Sequence, residues 1–304
     1  MRARAIVLAV VLGACWMGVA CADGPASSKT VKLGSVTPGM VACDTYSLRD
    51  YIGKGDLSLE TIPALLKKLD IQAIALNDMF FKSWDSPYLD RIKKACADNG
   101  IAIACLIMEG NLASDDENAR KRQIEENTKK LKAAGYLGAP AVRMNLGGAG
   151  SAEKDATVGV ERVIDAFKQM LPLAQELNVR ITMENHGGVS GTAENLIKII
   201  EGTDPAWVGS CLDFGNWPGN VRYESCDKMS GYCYHTHAKT HSFTADGEAE
   251  GVDYGRILGK LREQHIPCAV SIEFEGGGDQ IDGVVKTRDL IRKHWDIRRE
   301  GADK

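Results

Sequence analysis

The sequence predicts an α/β fold in which a single domain forms a closed (β/α)8 barrel. Strand-like apolar segments alternate with amphipathic helix-like segments eight times along the chain. Eight such units over about 280 residues have the size of one barrel. No GxGxxG motif follows the first strand-like segment, which disfavours a doubly wound open sheet as the competing architecture.

The strand-like segments are short apolar runs bounded by turn residues, and the helix-like segments repeat apolar residues at the spacing of one helix face. The predicted strands are 41–46, 71–76, 101–107, 141–145, 180–184, 208–213, 232–239 and 269–273. The predicted helices are 59–69, 88–98, 116–134, 156–177, 193–201, 252–264 and 283–295, with 216–231 as the weakest helical segment. Thr192 is the expected N-cap of the helix at 193–201. Gly135 is expected to end the helix at 116–134.

Residues 1–22 are typical of a secretory signal peptide. A basic start is followed by a short apolar run that ends in small residues. The run is too short to favour a transmembrane anchor. Two processing sites fit: ACA at 20–22 matches a small-residue cleavage site, whereas LGAC at 12–15 resembles a bacterial lipoprotein box that would leave Cys15 lipidated.

The predicted signal peptide determines the expected domain organisation. We expect residues 1–22 to be removed, residues 23–30 to form a flexible leader and residues 31–304 to form the barrel domain. The mature protein should therefore be exported, either periplasmic or secreted. It should contact a membrane only through a lipid on Cys15.

The charge balance indicates which partners to exclude. Removing residues 1–22 takes away two arginines and no acidic residue, so the formal net charge changes from −4 to −6. A mildly acidic protein is a poor candidate for nucleic-acid binding. The sequence gives no indication of the oligomeric state.

Cys226 and Cys233 flank a predicted loop and can pair in an oxidising compartment, whereas no CxxC motif indicates a cysteine zinc site.

Polar side chains collect at one end of the predicted barrel, where parallel strands carry their functional residues. The predicted strand ends carry Asp44, Tyr46, Asn77, Glu109, Arg143, Asn145, Glu184, Asp213, His237, Lys239 and Glu273. In the segment YHTHAKTH, strand alternation puts His235, His237, Lys239 and His241 on one face.

Four of these residues come from four successive strands. Glu184, Asp213, His237 and Glu273 are separated by 29, 24 and 36 residues, about one β/α unit each, so their side chains should converge. Three carboxylates and one imidazole predict a site for one divalent cation. The donors favour Mn²⁺, Mg²⁺ or Co²⁺ and also admit Zn²⁺ or Fe²⁺. His235 is an alternative to His237 as the imidazole ligand.

These segments resemble the xylose isomerase-like TIM-barrel family of sugar phosphate isomerases and epimerases. The resemblance covers roughly residues 33–297 and rests on Glu184 in ITMENHGG, Asp213 in LDFGN, His237 in HAK and Glu273 in VSIEFEGG. It implies that these four residues bind one divalent cation. It also implies that Glu184 and Glu273 move protons on the two faces of a carbohydrate substrate.

The implied chemistry is a sugar isomerase or epimerase reaction. Removing a proton next to a carbonyl leaves an enediolate, whose charge a divalent cation stabilises, and a carboxylate on each face can remove and return the proton. The predicted export weighs against a phosphorylated cytosolic sugar, so we expect a free sugar or keto-sugar. Two alternatives remain: a lyase or dehydratase acting on a keto-sugar or inosose at the same site, and a barrel that binds carbohydrate without catalysis.

Five further residues are candidates for substrate contacts, and each also has a structural interpretation. His186 can contact a substrate oxygen or make a supporting hydrogen bond, and Lys239 can assist the reaction or form an ion pair. Tyr46 and Trp217 can stack on a sugar face or serve as packing. Asn216 stands where many family epimerases have histidine, so the substrate contacts differ from the family pattern.

Overall fold

The structure, a computed structural model, describes residues 36–147 and 156–295. The predicted signal peptide, the lipoprotein-type Cys15 and the leader at 23–30 lie outside the described residues. Within them, no helix is long and apolar enough to cross a membrane.

Eight parallel strands close into a barrel in sequence order, with β1 paired to β8, which confirms the predicted (β/α)8 fold. The strands are β1 Val41–Asp44, β2 Ala73–Asn77, β3 Ala102–Met108, β4 Ala141–Met144, β5 Arg180–Glu184, β6 Val208–Asp213, β7 Cys233–Thr240 and β8 Val270–Phe274. Nearly every strand residue is buried, because helices cover the outer face and side chains fill the interior.

Helices cover the outside of the barrel. In the described part of the chain they are α1 Arg49–Lys54, α2 Ile62–Lys68, α3 Ser86–Asn99, α4 Glu117–Leu137, α5 Ala156–Leu177, α6 Ala193–Glu201, α7 Gly219–Met229, α8 Tyr254–Glu263 and α9 Gln280–Trp295. Thr192 caps α6 as predicted, since its hydroxyl accepts the Asn195 N–H at 3.3 Å. The predicted end of α4 at Gly135 is wrong. The helix continues to Leu137 and ends at Gly138, whose φ of 80° suits a left-handed C-cap.

The strand register aligns the polar ends of β5 to β8. Asp213 of β6 pairs with His237 of β7, and Lys239 of β7 pairs with Glu273 of β8. Between β6 and β7 the register shifts by one residue, so that Tyr234 is the extra residue of a bulge. After this bulge, His235, His237 and Lys239 share the interior face with Asp213.

The cysteines do not form the expected pair. All seven cysteines of the described residues, including Cys226 and Cys233, are buried free thiols. Cys226 lies in α7 and Cys233 begins β7. Burial raises the pKa of the Cys226 thiol to about 12, which disfavours the reactive thiolate form.

Candidate metal centre and active site

The four predicted cation ligands lie together at the C-terminal ends of four neighbouring strands. Glu184 ends β5, Asp213 ends β6, and His237 and Glu273 lie near the ends of β7 and β8. All four are buried, and one donor atom of each lies within 4.8 Å of the others. They converge because consecutive parallel strands of a barrel are adjacent in space.

His237 sits among the carboxylates of this cluster. Its Nδ1 lies 3.0 Å from Glu184 Oε1 and 3.4 Å from Glu273 Oε1. Burial alone would lower the pKa of His237, but the Cys211 sulfur and the two glutamates together raise it well above its usual range. Burial also raises the pKa of the Asp213 carboxyl well above its ordinary value. In the absence of a cation, the cluster therefore binds protons.

The donor set fits a divalent cation. Asp213 Oδ1 accepts the backbone N–H groups of Gly215 at 2.8 Å and Asn216 at 2.6 Å, which fixes the carboxylate. Asp213 Oδ2 and Glu273 Oε2 are buried and have no hydrogen-bond partner among the described residues. Buried carboxylate oxygens are rarely left unpaired in native proteins. Carboxylate oxygens that accept no hydrogen bond and lie beside an imidazole are suitable ligands for one hard or borderline divalent cation.

Lys239 is an internal counter-charge at the edge of this cluster. Its Nζ lies 3.2 Å from Glu273 Oε2, 3.3 Å from Glu275 Oε1 and 3.6 Å from Asp213 Oδ2. It also donates a hydrogen bond to Asn216 Oδ1 at 3.0 Å. The contact with Glu273 is an ion pair without hydrogen-bond alignment, which is why Oε2 still lacks a hydrogen-bond partner. The structure thus gives Lys239 the ion-pair role that the sequence left open.

Arg143 supports the site from β4, a role that was not predicted from the sequence. Its guanidinium donates to Glu184 Oε2 and, at 2.7 Å, to Glu109 Oε1. Asn145 donates to the other Glu109 oxygen at 2.7 Å. Burial alone would raise the pKa of Glu184, but Arg143 and His237 hold it well below its usual range. The sequence feature that could have indicated these contacts is the presence of opposite charges at the ends of the neighbouring strands β3, β4 and β5.

A cavity of about 220 Å³ opens beside the cluster on the β1–β4 side. It is lined by Asp44, Tyr46, Asn77, Met79, Ile107, Glu109, Arg143, His186, His237, Glu273 and Glu275. Glu273 and His237 therefore face both the cluster and the cavity. Glu184 is not among the lining residues, and its side chain is 1% exposed. Burial raises the pKa of Asp44, which also lines the cavity, to about 7.

Four of the five predicted substrate contacts fall into two groups. Tyr46 and His186 line the cavity, so their positions are compatible with substrate contact. Lys239 and Asn216 do not line it, and Asn216 instead joins Lys239 to Glu184, whose Oε1 accepts its amide at 3.1 Å. These two residues organise the cluster.

Trp217 is placed differently from the sequence prediction. It is buried, it is absent from the cavity lining, and its indole N–H donates to the Gly191 carbonyl at 2.9 Å. The indole therefore packs inside the protein, away from the cavity, and is not positioned to stack on a substrate there.

The histidines of β7 do not all belong to the site. His235 is buried one interior layer below His237, and burial lowers its pKa well below its usual range. His241 lies beyond the end of β7 and is exposed, so the expectation that it shares the interior face is wrong. Of the two alternative imidazole ligands, His237 is the one that faces all three carboxylates of the cluster.

A family model described as a xylose isomerase-like TIM barrel matches residues 63–294. The chain belongs to this family. The match runs from the start of α2 to nearly the end of α9 and includes all four residues of the cluster. No curated protein sequence matches the chain.

Solved structures share the fold at low sequence identity. The IOLI protein with a bound zinc atom is 18% identical with a TM-score of 0.69, and the alignment covers 84% of this chain and 99% of that one. L-ribulose 3-epimerase is 15% identical with a TM-score of 0.69, at 85% and 95% coverage. The probable 3-DHS dehydratase AsbF from Bacillus anthracis is 14% identical with a TM-score of 0.65, at 82% and 98% coverage. The fold thus occurs in both an epimerase and a probable dehydratase.

Proposed function

We propose that this protein is a divalent-metal-dependent sugar isomerase or epimerase that removes a proton next to the carbonyl of a free sugar or keto-sugar. The observation that carries the proposal is the cluster of Glu184, Asp213, His237 and Glu273 beside an open cavity, in which two buried carboxylate oxygens accept no hydrogen bond. Family membership supports the proposal, and so do solved epimerase structures with the same fold.

Glu273 is suited to act as the base. When bound, a divalent cation would polarise the substrate carbonyl and acidify the adjacent C–H. The Glu273 carboxylate lines the cavity, and burial alone would raise its pKa, but His237 and Lys239 keep that pKa below its usual range. It is therefore ionised and able to accept a proton from substrate. Glu184, which Arg143 holds ionised and which contacts the same His237 nitrogen as Glu273, is the candidate for the opposite face. It must take up a proton from water before it can deliver one to the substrate.

The charge of the cavity supports an unphosphorylated substrate. Four carboxylate residues line it: Asp44, Glu109, Glu273 and Glu275. Arg143 is the one lysine or arginine among the described lining residues, and its guanidinium already pairs with two carboxylates. A phosphate dianion in this cavity would meet like charge, whereas sugar hydroxyls would find hydrogen-bond acceptors.

The start of α9 provides no phosphate site either. Barrel enzymes often hold phosphate at a helix N-terminus that follows the last strands. Here the Asp279 carboxylate already accepts the Asp282 N–H at 2.8 Å and the Tyr51 hydroxyl. A carboxylate therefore occupies the position that would otherwise attract a phosphate.

A lyase or dehydratase at the same site is the second candidate. The observation that favours it is the unequal exposure of the two glutamates, because Glu273 lines the cavity whereas Glu184 is enclosed by Arg143, Asn216 and His237. Elimination needs one base at the carbon next to the carbonyl and an acid for the leaving group. His186, which lines the cavity and is exposed, is the candidate for that acid.

One experiment separates these functions. The purified protein is incubated with Mn²⁺ and a panel of keto-sugars and keto-glycosides in heavy water, and products are identified by NMR and mass spectrometry. An isomerase or epimerase gives isomeric products with deuterium next to the carbonyl. A lyase gives an unsaturated product that has lost water or a substituent. Saturable sugar binding without exchange, in a protein with stoichiometric metal, would contradict the catalytic proposal.

We also propose that the mature protein acts outside the cytoplasm, on the basis of the sequence pattern of residues 1–22. Fractionation of the cells that produce it, followed by N-terminal mass spectrometry, should find a processed chain in the exported fraction. An unprocessed chain in the cytoplasmic fraction would contradict this proposal.

A further inference from the structure

Two polar atoms without a hydrogen-bond partner face each other beside the cation cluster. Asp44 Oδ2 and His237 Nε2 are both buried, and neither has a hydrogen-bond partner among the described residues. They lie 3.7 Å apart, and each side chain is 1% exposed. A buried donor or acceptor without a hydrogen-bond partner costs about 1–3 kcal/mol. Two such atoms that face each other therefore indicate a hydrogen bond that forms in another state of the protein.

The orientation of His237 determines which nitrogen can meet a cation. Its Nδ1 faces Glu184 Oε1 at 3.0 Å and Glu273 Oε1 at 3.4 Å, so Nδ1 points into the ligand cluster. With Nδ1 engaged by a cation, the neutral imidazole carries its proton on Nε2. Metal-binding histidines usually donate that remaining N–H to a carboxylate or carbonyl oxygen, which fixes the ring and its tautomer.

Asp44 is held in the position such an acceptor needs. Its Oδ1 accepts the Tyr46 N–H at 2.9 Å, at the turn that ends β1. That bond directs Oδ2 toward the barrel interior and His237. Bringing the two atoms to hydrogen-bond distance requires a shift of roughly 0.5–1 Å from the observed 3.7 Å.

We infer that Asp44 is a positioning residue for His237, which accepts the Nε2–H of the imidazole and thereby orients Nδ1 toward the cation. The inference rests on the proposed cation site and assigns Asp44 no contact with the reacting atoms. The Cys211 thiol also lies within hydrogen-bonding reach of the His237 ring. Burial raises the pKa of that thiol to about 12, so in its thiol form it competes weakly as an acceptor.

The test compares two variants that each remove one negative charge from the same cavity. Asp44→Asn keeps the shape of the side chain but replaces one oxygen with an amide, so it can satisfy either Tyr46 or His237 but not both. Glu275→Gln also removes a carboxylate that lines the cavity, one that pairs with Lys239 and does not face His237. The dissociation constants for Mn²⁺ and Zn²⁺ are measured by competition with a chelator. In parallel, histidine-selective 15N NMR on the Zn²⁺-loaded protein reports the tautomer of His237.

We expect Asp44→Asn to bind the cation about 10–100-fold more weakly, as is typical for the partner of a metal-binding histidine. Glu275→Gln should change the affinity by much less. In loaded wild type, His237 should carry its proton on Nε2, with a downfield, slowly exchanging signal that Asp44→Asn shifts upfield. A proton on Nδ1, or equal losses of affinity in the two variants, would overturn the inference while leaving the cation site intact. Failure of wild type to bind either cation would overturn both the inference and the proposed function.

Discussion

Replacing Arg143 with methionine should destabilise the metal-free protein strongly and the cation-loaded protein much less. Arg143 is 3% exposed, and its guanidinium pairs with Glu184 and Glu109. Removing one partner of a buried ion pair costs about 3–5 kcal/mol, because the other charge is left buried. Glu184 keeps its contacts with Asn216 and His237, so we expect the lower end of that range.

The magnitude can be measured as a shift in melting temperature. A loss of about 3 kcal/mol lowers the Tm of a domain of this size by roughly 6–12 °C. A bound cation replaces the guanidinium as the counter-charge of Glu184, so saturating Mn²⁺ should recover much of this loss. The rise in Tm between EDTA and Mn²⁺ should therefore be larger for Arg143→Met than for wild type. Scanning calorimetry in both buffers gives the comparison.

Arg180→Met is the matched control. Arg180 is also a buried strand arginine, but it begins β5 at the opposite end of the barrel, stacks on the Tyr234 ring at 3.9 Å and donates to the Ala206 carbonyl. Its loss should lower Tm equally with and without Mn²⁺. If Mn²⁺ raised the Tm of Arg143→Met by no more than that of Arg180→Met, the assignment of Arg143 as a charge partner of the cation site would be refuted.

Three further predictions test individual residues. Glu273→Gln should retain a cation while kcat falls about 10²–10⁴-fold, roughly 3–5 kcal/mol of barrier, and near-normal turnover in both this variant and Glu184→Gln would show that neither glutamate is a base. The pKa values of His237 and Asp213 are raised in the metal-free protein, so cation binding must release protons and the affinity for the cation should rise with pH. Calorimetry in buffers of different ionisation enthalpy should detect the released protons. Binding without proton release would contradict these pKa shifts. Trp217→Phe removes the indole hydrogen bond and should cost about 0.5–1.5 kcal/mol of stability, but KM should stay unchanged within about twofold. A large rise in KM would show that this ring contacts the substrate.

The strands were predictable because each is a short apolar run that the barrel buries on both faces. Observed and predicted strand ends agree within two residues. The first strand ends early for a local reason: the Asp44 carboxylate accepts the Tyr46 N–H and starts the 3-10 turn Thr45–Leu48. The convergence of Glu184, Asp213, His237 and Glu273 followed from their spacing by single β/α units.

Contacts between side chains could not be predicted from the sequence in the same way. The roles of Arg143 and Asp44 depend on which interior layer each side chain reaches, and this is set by strand register and by the bulge at Tyr234. The burial of Trp217 depends on an acceptor, the Gly191 carbonyl, that is 26 residues away in the chain. Strand alternation alone placed His241 on the interior face, because the pattern does not mark where β7 ends.

The most direct test of the central claim is the metal content of the protein. Elemental analysis of wild type purified without chelators, or reloaded with Mn²⁺ and desalted, should find one divalent cation per chain. The same measurement on an Asp213→Ala/His237→Ala double variant, shown to be folded by circular dichroism, should find almost none. One cation per chain retained in the double variant would show that the cluster at the ends of β5 to β8 is not the metal site. The proposed metal-dependent proton transfer at this cluster would then be wrong.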